Sequence, residues 1–334
     1  QSVYDVGGKL LCRYYNRGSY AVSVFSYEGE NLYSYKFPTG YSLGGFWGLP
    51  SDTSVRFYQS SYYLPPVVFT FNINTYKIES AGITEPYFDT KKYVTRIVNY
   101  KSKDGTLVPM YLSHKRGLKP AKTNPVILYG YGGFGESLTP NYDYSNIILF
   151  ENNGILAIPL IRGGGELGHD WHAQGKVLNK QNSFDDFIRA AEYLIDSGYT
   201  STERIAIQGG SNGGLLVGAV LAQRPELFKV VVGEMGLYDM LRYHYYTGSG
   251  LWDEEYGTIK DSAQFMNLFR YSPLHNIKKG VDYPATLLVT GENDDRVPPF
   301  HSYKFVSALQ QNSSNTKPHV LYYEEDGGHS GAYG

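Results

Sequence analysis

One short segment constrains the fold of this chain more than any other. Residues 207–216, with the sequence IQGGSNGGLL, surround a single serine with four glycines between an apolar run and a predicted helix. Glycine destabilises the interior of strands and helices, so this clustering needs a physical reason. A sharp turn that other parts of the chain approach closely supplies one.

Gly209-Gly-Ser211-Asn-Gly213 matches the pattern G-x-S-x-G, and it lies after a predicted strand and before a predicted helix. In that context the pattern presents a nucleophilic serine on a strained turn at the edge of an α/β sheet. We expect glycine at the neighbouring positions because side chains there would collide with the adjacent strand and helix. The backbone amide of Asn212 would face the negative charge that develops on an acyl oxygen. The alternative, a glycine-rich connector with an incidental serine, does not require this strand-to-helix context.

A serine hydroxyl is a poor nucleophile without a base, and the base needs a carboxylate that orients it. In α/β-hydrolases the chain order is serine, then Asp or Glu, then His, each in a loop after a strand. Asp294 and His329 each follow a predicted strand in the required order. We therefore predict a triad of these two residues with Ser211. Asp295 is a near rival for the acid, because two adjacent aspartates cannot both face one imidazole.

The other histidines fit the role of base less well, since none lies in a glycine-flanked loop after the last strand. His169 and His172 precede Ser211, and we expect His275 to be a packing or capping histidine. Glu166, His169 and His172 resemble a metal-binding group in composition, but their spacing matches no standard zinc helix. We therefore expect no metal.

Two further glycine patterns, at 130–135 and 163–168, follow apolar strands and fit the dinucleotide fingerprint G-x-G-x-x-G. In a chain with 38 glycines such matches arise easily by chance. Neither pattern opens a clear helix followed by the acidic residue that would bind a ribose. We expect no nucleotide and no other cofactor.

The predicted secondary structure changes character along the chain. Residues 1 to about 84 contain short strands rich in β-branched and aromatic residues, for example 21–27, 32–37, 55–58 and 67–73. From about residue 90, a hairpin precedes apolar strands that alternate with helices. The predicted strands there are 93–100, 106–112, 126–129, 155–161, 205–207, 230–233, 285–290 and 319–323, and the helices are 184–195, 213–222 and 300–309, with Ser183 as the candidate N-cap of the first. This alternation predicts a mostly parallel sheet covered by helices on both faces.

Composition excludes several classes of protein. The 334 residues suffice for one large domain and a smaller piece, and 42% hydrophobic against 19% charged residues is typical of a globular protein. The formal net charge of −2 gives no indication of a nucleic-acid or anionic-membrane partner. No apolar run approaches the roughly 20 residues of a membrane helix. The single Cys12 excludes an intrachain disulfide.

Several motifs together resemble the prolyl oligopeptidase family of serine peptidases over essentially the whole chain. They are 129–134 (YGYGGF), 162–166 (RGGGE), 179–186 (NKQNSFDD), 209–215 (GGSNGGL), 271–276 (YSPLHN) and 294–297 (DDRV). The resemblance implies an α/β-hydrolase domain at residues 85–334, preceded at residues 1–84 by the C-terminal blades of a seven-bladed β-propeller. It also implies that the rest of the propeller, an N-terminal segment of the catalytic domain and a terminal helix are absent from this chain.

The resemblance assigns catalytic roles residue by residue. Ser211 would be the nucleophile, Asp294 the orienting acid and His329 the base. The oxyanion hole would consist of the Tyr131 hydroxyl and the Asn212 amide. A tyrosine donor is reasonable because its hydrogen bond strengthens as the acyl oxygen gains charge. The alternative for Tyr131 is a packing role, as one of 33 tyrosines.

The same resemblance implies a proline-binding pocket. Trp252 would stack on the substrate proline, because a flat apolar face suits that rigid ring. The other implied contacts are Phe134, Tyr256, Val297 and Leu237 as pocket walls, for which ordinary core packing is the alternative, and Arg296 as donor to the carbonyl before proline, for which a local ion pair is the alternative. Ser330 departs from many relatives, which have glycine directly after the catalytic histidine.

These residues predict a serine endopeptidase that cleaves short proline-containing peptides after proline through an acyl-enzyme. Cleavage after Lys or Arg, as in oligopeptidase B, is an alternative that would need acids such as Glu234, Asp253 or Glu254 in the pocket. Peptide macrocyclisation is another. Outside the enzyme class, the alternative is a binding or scaffold protein on an inactive hydrolase fold, against which the complete triad argues. We further expect a monomer without nucleic-acid or membrane partner, in the cytoplasm or, alternatively, the bacterial periplasm.

Overall fold

The computed structural model describes residues 2–82, 87–246, 250, 252–314 and 316–331, without the side chain of Tyr246. Its first strands form two four-stranded antiparallel sheets in which each strand pairs with the next along the chain. One sheet contains β1 (Ser2–Val6), β2 (Lys9–Asn16), β3 (Ser19–Phe25) and β4 (Asn31–Lys36), and the other contains β5 (Ser42–Trp47), β6 (Ser54–Ser60), β7 (Val67–Asn72) and β8 (Ile78–Gly82). A four-stranded meander of this kind is the shape of a propeller blade.

The first two hairpins have two-residue turns in the left-handed region. Gly7 (φ 59°) and Gly8 (φ 73°) join β1 to β2, while Arg17 (φ 50°) and Gly18 (φ 78°) join β2 to β3. Such turns match the right-handed twist of the strands they connect. The inward faces of both sheets share one apolar core rich in valine and aromatic residues, including stacked rings of Phe46 and Phe57.

The larger sheet has eight strands. They are β9 (Tyr93–Lys101), β10 (Leu107–Lys115), β11 (Val126–Tyr129), β12 (Ile155–Pro159), β13 (Ile205–Gly210), β14 (Val230–Glu234), β15 (Ala285–Gly291) and β16 (His319–Glu324). Their order is β16-β15-β14-β13-β11-β12-β10-β9, and β11, β13, β14, β15 and β16 are mutually parallel neighbours. The predicted mostly parallel sheet is therefore confirmed.

Helices connect and cover these strands. They are α1 (Ser145–Glu151), α2 (His169–Ala173), α3 (Gln181–Asp196), α4 (Asn212–Gln223), α5 (Tyr243–Tyr246), α6 (Asp253–Tyr256), α7 (Ser262–Tyr271) and α8 (Phe300–Asn312). The prediction of Ser183 as the N-cap of α3 is wrong, because the helix begins at Gln181. Ser183 lies inside it, fully buried, where its hydroxyl donates to the Arg162 carbonyl at 2.7 Å.

The chain divides into two compact units. One comprises Gln1–Val98, Tyr111–Leu118 and Thr139–Ile155, and the other comprises Asn99–Met110, Lys119–Leu138 and Leu156–Gly334. The first contains β1–β8 and α1, and the second contains β11, β13–β16 and α2–α8. None of the helices in the described ranges combines the length and the apolar character that crossing a membrane requires.

Candidate active site

The loop between β13 and α4 forms a sharp turn at Ser211. This residue has φ 57° and ψ −118°, a conformation that non-glycine residues rarely adopt. Its amide donates to the Glu234 carbonyl on the neighbouring strand β14 at 2.8 Å, which holds the turn against the sheet. The side chain is thereby presented at the carboxyl end of the parallel strands, where α/β folds collect reactive groups.

Three of the four glycines around Ser211 are sterically required. A Cβ added at Gly209, Gly213 or Gly214 would lie 2.4 to 2.5 Å from backbone atoms of neighbouring segments. At Gly210 the nearest atom would be a Glu234 carboxylate oxygen at 3.5 Å, an ordinary contact. The expectation that every neighbouring position must be glycine is therefore wrong at Gly210, because a methyl group there would make only ordinary contacts with Glu234.

Ser211, His329 and Asp294 lie in one hydrogen-bonded line. The Nε2 atom of His329 is 3.1 Å from Ser211 Oγ, and its Nδ1 atom is 2.8 Å from Asp294 Oδ2 and 3.0 Å from Oδ1. Asp294 is buried, whereas its neighbour Asp295 is exposed. This geometry allows the imidazole to take the serine proton while the carboxylate holds its other nitrogen in the donor state.

The loop after β15 fixes the Asp294 carboxylate. Its Oδ1 atom accepts hydrogen bonds from the backbone amides of Arg296 at 3.0 Å and Val297 at 2.7 Å. Backbone donors of this kind hold a carboxylate in one orientation, so the imidazole of His329 meets a fixed partner. Val297 itself is buried and does not line the cavity beside Ser211.

Tyr131 lies in the glycine-rich loop after β11 and lines the same cavity as Ser211. Burial raises the pKa of this phenol, and the neighbouring Ser211 side chain only partly opposes that effect, so the hydroxyl is a neutral donor at ordinary pH. Asn212 is the first residue of α4, and the first amides of a helix lack intrahelical partners. The two predicted oxyanion donors, the Tyr131 hydroxyl and the Asn212 amide, are therefore both next to Ser211.

The side chain of Asn212 connects the elements of the site. Its Nδ2 atom donates to the Tyr131 carbonyl at 2.5 Å, and its Oδ1 atom accepts from the Tyr256 hydroxyl at 3.0 Å. The asparagine is 1% exposed. The turn of the serine, the Tyr131 loop and helix α6 are thus joined through one buried amide.

A cavity of about 180 Å³ opens beside Ser211. It is lined by Tyr131, Phe134, Glu136, Ser211, Leu237, Trp252, Tyr256 and Arg296. Larger depressions of about 490 and 800 Å³ lie against α3 and against the second four-stranded sheet, but the lining of neither includes a histidine. Most of the residues predicted for substrate binding therefore meet at this one cavity.

Three aromatic rings form one side of the cavity. The ring centroids of Phe134 and Trp252 are 6.0 Å apart, those of Phe134 and Tyr256 are 5.6 Å apart, and those of Trp252 and Tyr256 are 6.3 Å apart. The interplanar angles lie between 71° and 89°, so the rings pack edge to face. This arrangement presents flat apolar surfaces suited to a rigid aliphatic ring.

Arg296 borders the cavity and is exposed. Within the described part of the chain its guanidinium forms no ion pair with Asp294 or Asp295, so the predicted alternative of a local ion pair is not what the structure has. The guanidinium is free to donate to a carbonyl of a bound chain.

The residues considered as a metal group do not assemble. His172 Nε2 is 2.7 Å from Glu255, and Glu166 accepts a hydrogen bond from the Leu138 amide at 2.8 Å. Burial raises the pKa of Glu166 to about 7. Among the residues whose positions are described, no group of three or more His, Cys, Asp or Glu side chains is arranged to hold a metal ion.

A buried ion pair next to the aromatic rings was not predicted from the sequence. Lys180 and Glu255 form a buried ion pair of 2.8 Å, with side chains 1% and 4% exposed. The only signal was indirect, since Lys180 lies within the family motif at 179–186 and Glu255 lies three residues after Trp252. Glu136, which borders the cavity, was also not predicted.

The fold and the geometry around Ser211 define an α/β-hydrolase with its serine on a nucleophile turn, preceded by blade-like antiparallel sheets. A sequence profile of the prolyl oligopeptidase family matches residues 140–334. Prolyl endopeptidase from Elizabethkingia meningoseptica is 42% identical over 324 residues, which cover 97% of this chain and 46% of that protein. The chain belongs to the prolyl oligopeptidase family.

Solved structures agree with this assignment. One, from a mechanistic study of two prolyl endopeptidases, superposes with a TM-score of 0.95 at 38% identity, over 99% of this chain and 49% of that chain. Prolyl oligopeptidase B from Galerina marginata, bound to a 35-residue hydrolysis and macrocyclization substrate, gives a TM-score of 0.89 at 31% identity, over 97% and 47%. The chain thus spans about half the length of the relatives it matches.

Proposed function

We propose that the protein to which this chain belongs is a serine endopeptidase that cleaves short peptides on the carboxyl side of proline. One observation carries the proposal: the hydrogen-bonded line of Ser211, His329 and Asp294 ends at the mouth of a cavity walled by aromatic rings. The family relationship supports it, because the relative from Elizabethkingia meningoseptica is named prolyl endopeptidase.

The reaction proceeds through an acyl-enzyme. Ser211 Oγ attacks the carbonyl of proline while His329 Nε2 takes the hydroxyl proton, and the oxyanion accepts hydrogen bonds from Tyr131 and the Asn212 amide. The protonated imidazole then gives its proton to the leaving amine as the peptide bond breaks. Water, deprotonated by His329, attacks the ester and releases the carboxylate and the free serine.

Specificity arises in the aromatic cavity. The proline ring stacks on Trp252, with Phe134 and Tyr256 closing the remaining faces, and a proline amide without an N–H leaves no unpaired donor there. Arg296 donates to the carbonyl of the preceding residue and so fixes the register of the peptide. Short proline-containing peptides are the partners we propose.

Cleavage after Lys or Arg fits the cavity less well. Of the acids near it in sequence, Glu234 accepts from the Gln208 amide at 3.0 Å and Asp253 accepts from the Tyr243 hydroxyl at 2.8 Å, while neither these nor Glu254 lines the cavity. A cation would therefore enter a pocket of aromatic rings with only the exposed Glu136 at its edge.

The domain organisation and cellular context are part of the same proposal. We assign residues 1–84 to the last blades of a propeller and residues 85–334 to the catalytic domain, supported by the two four-stranded meanders. We propose a monomer that acts in the cytoplasm, with the bacterial periplasm as the alternative. Light scattering after size exclusion and fractionation of the source cells test these two points.

The test of activity compares kcat/KM of the full natural protein on blocked peptides that differ only in proline, alanine, arginine or phenylalanine before the scissile bond. A preference for proline of tenfold or more, lost in Ser211→Ala, is expected; tenfold corresponds to about 1.4 kcal/mol of discrimination. A preference for arginine would move the protein to the oligopeptidase B type. Mass spectrometry of products from longer peptides distinguishes hydrolysis from macrocyclisation, and absence of turnover by the folded protein would favour a scaffold.

A further inference from the structure

The Lys180–Glu255 pair lies beneath the aromatic cavity and takes no part in the triad. Lys180 precedes helix α3, and its Nζ atom donates to Glu255 Oε1 at 2.8 Å and to the Gly132 carbonyl at 3.0 Å. The same ammonium lies 5.3 Å from the centroid of the Tyr256 ring. One buried cation therefore contacts both the Tyr131–Phe134 loop and helix α6, the two elements that carry the aromatic walls.

Glu255 uses both of its oxygens. While Oε1 accepts from Lys180, Oε2 lies 2.7 Å from His172 Nε2 on helix α2. The His172 ring packs beneath the turn at Gly135 (φ 67°), where an added Cβ would lie 3.5 Å from its Nδ1 atom. The carboxylate thus connects α6 to a second support of the Phe134 loop.

The position of helix α6 depends on tertiary contacts. The helix has four residues, Asp253–Tyr256, and a helix of this length has little stability without tertiary contacts. Trp252 precedes it and Tyr256 ends it, so the orientation of two cavity rings depends on what anchors this turn. Glu255 is one anchor, and the others are the Tyr256 hydroxyl bond to Asn212 and the Asp253 carboxylate, which accepts from the Tyr243 hydroxyl at 2.8 Å.

Glu255 is ionised in spite of its burial, whereas burial lowers the pKa of Lys180 against the opposing effect of the Glu255 charge. Burial alone would raise the pKa of Glu255, but the charge of Lys180 and the contact with His172 outweigh it and lower the pKa overall. A buried ion pair adds little to stability compared with apolar residues of similar size. The contacts of the pair indicate a positioning role instead. Charged groups with several hydrogen bonds require one arrangement of the loop and the helix, whereas apolar residues of similar size would allow several.

We propose that Lys180 and Glu255 are positioning residues that hold the Phe134 and Trp252 walls of the cavity in register and thereby set its preference for proline. The inference rests on the proposed proline-specific activity. Neither residue touches the substrate or the triad, and Lys180 meets the loop of Tyr131 only through the Gly132 carbonyl, so we expect the reactivity of Ser211 to change less than the preference for proline. Removal of the pair should therefore lower the preference for proline over alanine more than it lowers the reactivity of Ser211.

The test uses the full natural protein and three variants. Glu255→Gln removes one charge at constant shape, and Lys180→Met/Glu255→Gln removes both, so that no unpaired charge stays buried. Lys229→Met/Glu203→Gln is the matched control, because it removes a Lys–Glu pair whose side chains are 49% and 71% exposed. A small fluorophosphonate counts the active molecules by labelling Ser211, and kcat and KM are then measured on matched proline and alanine peptides.

We expect the ratio of kcat/KM for proline over alanine to fall at least fivefold in both Glu255 variants, chiefly through KM for the proline peptide, with the rate of fluorophosphonate labelling changed less than threefold. The control should keep the wild-type ratio. Hydrogen exchange should rise in peptides covering 130–136 and 252–257 in the Glu255 variants only. If Glu255→Gln fails to fold, the same measurements on Lys180→Met/Glu255→Gln test the inference.

A proline-to-alanine ratio that stays within twofold of wild type, with lowered thermal stability alone, would overturn the inference and leave the pair a structural one. An equal loss of labelling and turnover would also overturn it, because the pair would then act on the serine. A wild-type protein without preference for proline would instead contradict the proposed function. In that case the positioning role would still be tested by hydrogen exchange, and it would be refuted if exchange in 130–136 and 252–257 were the same in the Glu255 variants as in the wild type.

Discussion

The most direct test of the serine turn is Gly213→Ala. A Cβ at this position would lie 2.5 Å from the Gly130 carbonyl oxygen, so that oxygen must retreat by about 0.9 Å to reach the edge of ordinary contact. Gly130 directly precedes Tyr131, and its own amide is bonded to the Gln208 carbonyl at 3.2 Å. The displacement is therefore transmitted to the proposed oxyanion donor.

The expected cost has two parts. Forcing a methyl group into a close-packed site costs about 1–3 kcal/mol of unfolding free energy. A misplacement of about 1 Å in a catalytic group lowers activity on the order of 100-fold. We therefore expect Gly213→Ala to lose both stability and kcat/KM, with most of the kinetic loss in kcat, since the missing hydrogen bond forms in the transition state.

Gly210→Ala is the matched control, because the same added methyl group meets nothing closer than 3.5 Å. It should change the unfolding free energy by no more than about 0.5 kcal/mol and leave kcat within threefold. Urea unfolding and steady-state kinetics on a proline peptide measure both effects. Equal losses in the two variants, or a fully active Gly213→Ala, would refute the steric reasoning.

Three further predictions follow from the same contacts. Tyr131→Phe should lower kcat by about 100- to 1,000-fold without disturbing the fold, whereas Tyr129→Phe should not; equal activity of the two variants would remove Tyr131 from the oxyanion hole. Burial lowers the pKa of His301 to about 4, so the folded protein keeps this ring neutral while the unfolded chain takes up a proton below about pH 6.5. Stability should fall by about 2 kcal/mol between pH 6.5 and 5, and urea titrations should show this loss abolished in His301→Gln. Burial raises the pKa of Glu166 to about 7, so stability from this group is present at low pH and lost as pH rises from about 4.3 to 7. Glu166→Gln should gain about 3 kcal/mol relative to wild type between pH 5 and 8, and a constant difference would contradict the assignment.

The parallel core of the fold was predictable because its strands are apolar runs that alternate with helical segments along the chain. The predicted strand 126–129 is identical to β11, and the helices α3, α4 and α8 lie within a few residues of their predicted bounds. Short helices such as α1 and α7 were not predicted. Their few turns are stabilised by tertiary packing and, for α7, by the Asp261 carboxylate, which caps the Gln264 amide at 2.9 Å.

The meeting of Ser211, His329 and Asp294 could be predicted for a different reason. The members of a triad must follow strands in a fixed chain order, and that order leaves few candidates in one sequence. The sequence did not reveal the Lys180–Glu255 pair, whose members are 75 residues apart and lie in no pattern that specifies a partner. Pairings of this kind depend on how two loops approach each other in space, which periodicity and motif spacing do not describe.

The second variable position of the G-x-S-x-G pattern is constrained in this protein. Asn212 occupies it, and the pattern alone places no demand on its side chain. Here the buried amide donates to the Tyr131 carbonyl and accepts from the Tyr256 hydroxyl, so one residue fixes both the oxyanion loop and a wall of the pocket. Replacement by an apolar residue would leave two buried polar groups without their partner, each costing about 1–3 kcal/mol. The serine turn, the proposed oxyanion hole and the proposed specificity pocket are therefore connected through Asn212, and a substitution there should disturb selectivity and catalysis together.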